Sequence, residues 1–182
     1  MDRLWAPWRR AYVTNQEKPE GCLFCHVASA EPGVSGPGEL VLGRGEHSYA
    51  MLNAYPYNNG HLMVVPFQHT GALDEVEGAT LDEMLRTAAA WTALLRAEMR
   101  AEGFNVGFNL GAAAGAGLAE HVHLHVVPRW AGDTNLMPVV GDVKVLPEAL
   151  DVTASRLRSA WQAAYAGAAH TAPVQAAPVQ AE

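Results

Sequence analysis

Glu120-His121-Val122-His123-Leu124-His125-Val126-Val127-Pro128-Arg129-Trp130 sets three histidines at alternate positions with Val122, Leu124 and Val126 between or beside them. Successive side chains of a β-strand point to opposite faces. His121, His123 and His125 are therefore expected on one face, and the valines and leucine on the other, toward a core. The pattern predicts a strand over 121–127 that Pro128 ends, with successive imidazoles about 6.7 Å apart. Burying three imidazoles is costly unless each is hydrogen-bonded. One such histidine reads as a structural residue; three on one face read as a site. Two chemistries fit. Alternate histidines can ligate a metal, which usually asks for a further carboxylate or histidine; Glu120 falls on the wrong face. Alternatively, a neutral imidazole attacks phosphorus while its neighbours donate hydrogen bonds to phosphate oxygens.

The flanking sequence predicts an α+β domain: an antiparallel β-sheet with two main helices. Short apolar runs at 40–42 and 48–53 suggest a hairpin around Gly43-Arg44-Gly45. Pro56, Asn58, Asn59 and Gly60 mark a turn before a strand over 62–65 that Pro66 stops. Leu81, Met84, Leu85, Ala88, Leu95 and Met99 recur at helical spacing, which predicts a helix over 81–102 with one buried face. Thr80 would be its N-cap, Glu83 the partner in a capping box, and Gly103 its stop. A strand over 105–110, a Gly/Ala loop over 111–117 and a final helix over 147–165 complete the pattern.

His-Val-His-Leu-His-Val-Val resembles the signature of the histidine triad family. Other segments agree: Met51-Leu52-Asn53, Pro56-Tyr57-Asn58-Asn59-Gly60-His61-Leu62-Met63 and Asn109-Leu110-Gly111. Leu4-Trp5-Ala6-Pro7-Trp8-Arg9 and the run from Val127 to Asn135 are similar to the bacterial branch of diadenosine tetraphosphate phosphorylases. The resemblance implies that His123 is the nucleophile and forms a covalent nucleotidyl intermediate. It makes His125 a phosphate contact and His61 a support for the same site. It places Asn53 near the ribose, Asn109 near the phosphates, and Met51 and Met63 in a purine pocket. Gly111, Gly115 and Gly117 would let backbone N–H groups approach phosphate oxygens. The implied substrate is an adenosine polyphosphate, with orthophosphate as a second reactant in the phosphorolytic branch. No organic cofactor comes with the resemblance, and a homodimer does. Hydrolysis to AMP, phosphoramidase activity and a non-catalytic nucleotide-binding module are the alternatives.

Cys22-Leu23-Phe24-Cys25 has the spacing of a metal knuckle or a redox pair, and no βαβ pattern surrounds it to favour the second. A structural zinc asks for four closed ligands. The resemblance supplies the other two, His69 and His121, and would leave His123 free to react.

Composition bounds what remains. The chain of 182 residues suits one domain, expected over 1–166, and 49% hydrophobic content calls for a packed globule. A net charge of −7 argues against nucleic acid as a partner. No apolar run reaches the length of a membrane span, and the start lacks a secretory signal, so a cytoplasmic location is the expectation. The N-terminal arm, with Trp5, Trp8, Arg9, Arg10 and Tyr12, is expected to pack across the domain or a partner. The segment 167–182, where Ala-Pro-Val-Gln-Ala occurs twice, is expected to be a disordered tail.

Overall fold

A computed structural model describes residues 21–133 and 145–165. The expected packing of the N-terminal arm and disorder of the 167–182 tail lie outside the described residues. Among the described residues there are five strands: β1 (Val41–Arg44), β2 (Ser48–Leu52), β3 (Leu62–Pro66), β4 (Gly103–Phe108) and β5 (Leu124–Arg129). The α-helices among the described residues are α1 (Leu23–Ala28), α2 (Gly78–Met99) and α3 (Leu150–Tyr165). The strands form one antiparallel sheet in the order β1-β2-β3-β5-β4. This is the α+β architecture expected from the alternating patterns. Among the described residues no helix is long and apolar enough to cross a membrane.

Alternation decides what each face of the sheet meets. Leu52, Leu62, Val64, Leu124 and Val126 pack with Met84, Trp91 and Leu95 of α2 and Leu157 of α3. Val41, Tyr49, Met51, Met63 and Val65 pack on the opposite side against Phe24 and Val27 of α1. Both faces of β2 and β3 are thus covered, which is why these strands are buried along their whole length. Trp91 stacks on Trp161 with ring centroids 4.3 Å apart and planes 12° from parallel, tying α2 to α3.

Several boundaries differ from expectation, each for a physical reason. The helix α2 starts at Gly78, so Thr80 is a buried helical residue rather than an N-cap. Glu83 makes no capping box. Its buried carboxylate accepts from the Ser48 hydroxyl at 2.6 Å and from the His47 N–H at 3.0 Å, clamping α2 to the β1–β2 turn. Leu85 is 56% exposed, because Trp91 and Leu94 turn the apolar stripe away from it. The helix stops at Arg100, whose φ of 53° is left-handed, and Gly103 already belongs to β4. Gly43 sits inside β1 rather than in the turn, where a Cβ would come within 2.8 Å of the Trp161 ring nitrogen.

Pro66 is the last residue of β3, as expected, whereas Pro128 does not end β5, which runs on to Arg129. Pro128 pairs with Phe104 of β4, yet its carbonyl faces the β3 side, where it accepts from Asn58 Nδ2 at 3.1 Å. Its missing N–H therefore points away from β4, and the β3 register has already run out at Leu62–Val126. Pro66 pairs with Ser48 and likewise turns its carbonyl away, toward His121.

Candidate functional site

The strand β5 begins at Leu124, so His121 and His123 precede it. Val122 leaves the ladder because its N–H bonds the Thr70 carbonyl at 2.7 Å, and His121 Nε2 donates to the Pro66 carbonyl at 2.9 Å. The triad rings nevertheless gather on the α1 side of the sheet. The Phe24 ring lies 5.4 Å from that of His121 and 4.9 Å from that of His123. The His123 and His125 rings meet edge to face at 4.8 Å, closer than an ideal strand spacing would hold them. All three histidines are buried.

Each ring is set by one partner. His123 Nδ1 donates to the His121 carbonyl at 2.8 Å, which leaves the lone pair on Nε2. The Tyr57 N–H donates to His61 Nδ1 at 3.0 Å, so the His61 proton sits on Nε2. That proton bonds His125 Nδ1 at 2.9 Å. His125 in turn carries its own proton on Nε2, facing outward, 3.4 Å from the Asn109 side-chain amide. Two backbone groups thereby impose opposite tautomers: His123 presents a lone pair and His125 presents a donor. Burial, then the neighbouring His125 and His123, pushes His61 down to about 3. Burial and His123 lower His125 to about 4. Burial also lowers His123, against the pull of the His121 carbonyl. These rings are neutral near pH 7, as a nitrogen nucleophile requires.

A second cluster adjoins the first through His121. Cys22, Cys25, His69 and His121 bring one ligand atom each within 4.8 Å of one another. Cys22 Sγ and His121 Nδ1 are 3.3 Å apart, as are Cys25 Sγ and His69 Nδ1, and the two Nδ1 atoms. Bond lengths to a tetrahedral zinc call for donor separations of about 3.3 Å between nitrogens to about 3.8 Å between sulfurs, so this donor set fits that ion. The proton of His121 on Nε2 is held by the Pro66 carbonyl, and its Nδ1 lone pair faces the thiols, the arrangement metal-binding histidines adopt. The short helix α1 that carries the cysteines escaped the sequence pattern. Arg44 anchors it by donating to the Val27, Ala28 and Ala30 carbonyls, and the Tyr49 hydroxyl donates to the Phe24 carbonyl at 2.8 Å.

The remaining expected residues divide. Asn53 Nδ2 reaches His61 Nδ1 at 3.5 Å, while its Oδ1 accepts the Tyr55 N–H and closes the turn. Met51 and Met63 are packed into the apolar cluster beneath α1, and Met63 is the register partner of His125. Gly111 and Gly115 take φ of 78° and 85°, open to glycine, but the N–H groups of Ala114, Gly115 and Ala116 are used within the loop. Gly117 lies open to space with no close neighbour. Tyr57 was not singled out by the sequence, although its ring covers His61 at 4.7 Å and His125 at 5.8 Å. Its place four residues before His61, in the turn between β2 and β3, was the available signal.

Comparison with known proteins agrees with this geometry. The HIT domain model matches residues 38–132. The AP-4-A phosphorylase of Mycobacterium tuberculosis strain H37Rv is 39% identical over 165 residues, covering 88% of this chain and 85% of that one. Among solved structures, a Zn-bound histidine triad family protein from Mycobacterium smegmatis matches with a TM-score of 0.63 and 26% identity, over 80% of this chain and 96% of that one. The Plasmodium falciparum diadenosine triphosphate hydrolase shares the fold at a TM-score of 0.58 and 14% identity, over 78% and 98% of the two chains. With the triad, the sheet order and these relatives in agreement, the chain belongs to the histidine triad (HIT) family.

Proposed function

We propose that this HIT enzyme is a phosphorylase of diadenosine tetraphosphate that works through a nucleotidyl-histidine at His123. The carrying observation is the pair of opposite tautomers: His123 Nδ1 is tied to a backbone carbonyl, and His125 receives its hydrogen bond from His61. A lone pair for attack and a proton donor for phosphate oxygen therefore stand side by side. The 39% identity with the M. tuberculosis phosphorylase supports the choice of substrate and of phosphate as acceptor.

In the first half-reaction His123 Nε2 forms a bond to the α-phosphorus. The bond from that phosphorus to the bridging oxygen breaks, and its electrons leave with ATP. His125 Nε2–H donates to phosphoryl oxygen as charge builds there, and positioning supplies most of the rate. In the second half an oxygen of orthophosphate attacks the same phosphorus. The bond to Nε2 breaks, its electrons return to the ring, and ADP departs. Asn53 is assigned to the ribose side, Met51 and Met63 to the apolar floor beneath the base, and Asn109 with Gly111 and Gly117 to the phosphates, while Gly115, whose N–H is held by the Ala112 carbonyl, shapes the phosphate loop. Cys22, Cys25, His69 and His121 would hold zinc, which supplies a closed structural crosslink between α1 and the triad segment and leaves His123 out of the coordination. A homodimer belongs to the same reading, and light scattering coupled to size exclusion tests it.

The test is incubation with diadenosine tetraphosphate, with and without orthophosphate, followed by product identification. ADP and ATP formed only when phosphate is present is the expected result. AMP formed whether or not phosphate is supplied would replace phosphorolysis by hydrolysis.

A further inference from the structure

A cavity of about 360 Å³ opens beyond His125, on the side away from the cysteine cluster. Its size falls in the lower part of the range for small-molecule sites, about 300 to 1,000 Å³. His125 lines it and His123 does not. In an in-line displacement at phosphorus the leaving oxygen departs opposite the attacking atom. The His123 and His125 rings stand 4.8 Å apart, so a group leaving on the His125 side of the phosphorus enters this space.

We infer that the cavity is the subsite for the leaving nucleotide, a nucleoside polyphosphate. The inference rests on the phosphoryl chemistry proposed above and adds the place where the second half of the substrate lies. The floor is built by strand register. Gly107 pairs with His125, Asn105 with Val127, and Gly103 with Arg129, so alternate residues of β4 and β5 share this face. From residue 125 to residue 129 the strand rises about 13 Å, room for a polyphosphate followed by a sugar. Tyr57 and Asn58 form one wall.

The two ends differ in chemistry. At the near end stand the His125 Nε2–H and the Asn109 amide, suited to phosphate oxygens. At the far end Asp133 holds Arg129 through both carboxylate oxygens, at 2.6 and 2.8 Å, and Asn58 Nδ2 bonds the same carboxylate at 2.8 Å. Arg129 also donates to Asn105 Oδ1 at 3.0 Å. That ion pair cancels most of the local charge. The far end is therefore a weak phosphate trap and suits the hydroxyls of a ribose and the edge of a base. The phosphates lie by His125 and the nucleoside lies over Asn105 toward Arg129. Orthophosphate in the second half-reaction enters through the same space once the nucleotide has left.

Gly107→Val fills the floor without straining the fold. A Cβ at Gly107 meets no atom within 4 Å, its φ is not in the left-handed region, and a β-branched residue suits a strand. The experiment compares kcat/KM for diadenosine tetraphosphate with kcat/KM for adenosine 5′-phosphoramidate, whose leaving group is only ammonia. The ratio of the two is expected to fall at least about tenfold in Gly107→Val and by a smaller factor in Asn105→Ala. A ratio unchanged in both variants, or losses equal for both substrates, overturns the subsite. A parent protein that turns over neither compound overturns the proposed function itself, and the subsite with it.

Discussion

His121 and His125 lie four residues apart in one motif, face the same side of the sheet and are both buried, yet the fold gives them different chemistry. His121 gives its Nε2 proton to the Pro66 carbonyl and aims a lone pair at two thiols. His125 accepts from His61 on Nδ1 and aims a proton outward. The imidazole is the same, and one hydrogen bond from a distant strand decides between ligand and donor. His123 stands between them and is set by the His121 carbonyl, so its position depends on the Cys/His cluster that His121 joins.

The sharpest way to break this division is to remove His123, the proposed nucleophile. His123→Gly should lower turnover of diadenosine tetraphosphate by about a thousandfold or more while nucleotide affinity, measured by calorimetry, stays within a few-fold. Turnover that survives would move the chemistry to another residue. The donor side comes next. His61→Asn removes the hydrogen bond that orients His125, and kcat should fall about a hundredfold with KM little changed.

The metal side should answer in stability more than in chemistry. Cys22→Ser with Cys25→Ser, or exhaustive chelation, should abolish zinc binding measured by elemental analysis. It should also lower stability by about 3 kcal/mol or more, read from denaturant midpoints. If the melting curve does not move, α1 is held by Arg44 and Tyr49 alone.

The effect of pH is the smallest per residue. His61 and His125 have folded values near 3 and 4, below the free value of 6.5. The unfolded chain therefore takes up protons first as pH falls. Stability should decline from about pH 6.5 downward, by about 2 kcal/mol per ring at pH 5, and keep falling until the folded rings also protonate. His61→Asn should remove its share of that slope in a urea titration at several pH values.

Much of this was legible beforehand because short-range patterns obey fixed periods. The short apolar runs that became β2 and β3, the alternation that became β5, and the helical recurrence from Met84 to Leu95 follow from how side chains leave a strand or a helix. The errors came where a residue is used across the fold. Glu83 fits a local capping box on paper, but three donors from the β1–β2 turn region claim its carboxylate. Pro128 looks like a strand breaker until its N-less edge is seen to face away from the paired β4, whereas β3 does stop at Pro66. Phe24 sits between two cysteines and gives no sign in sequence of touching His121 and His123.

The sequence by itself determined the residue types that can do the chemistry, their alternation and the class of fold, because a period of two or of 3.6 residues needs only near neighbours. Tertiary structure alone decided which nitrogen of each imidazole carries the proton, and which side chains meet. Cys25 finds His69 across 44 positions, and Cys22 finds His121 across 99. A tautomer is set by a partner within hydrogen-bond reach, and that partner arrives only when the sheet has closed around it.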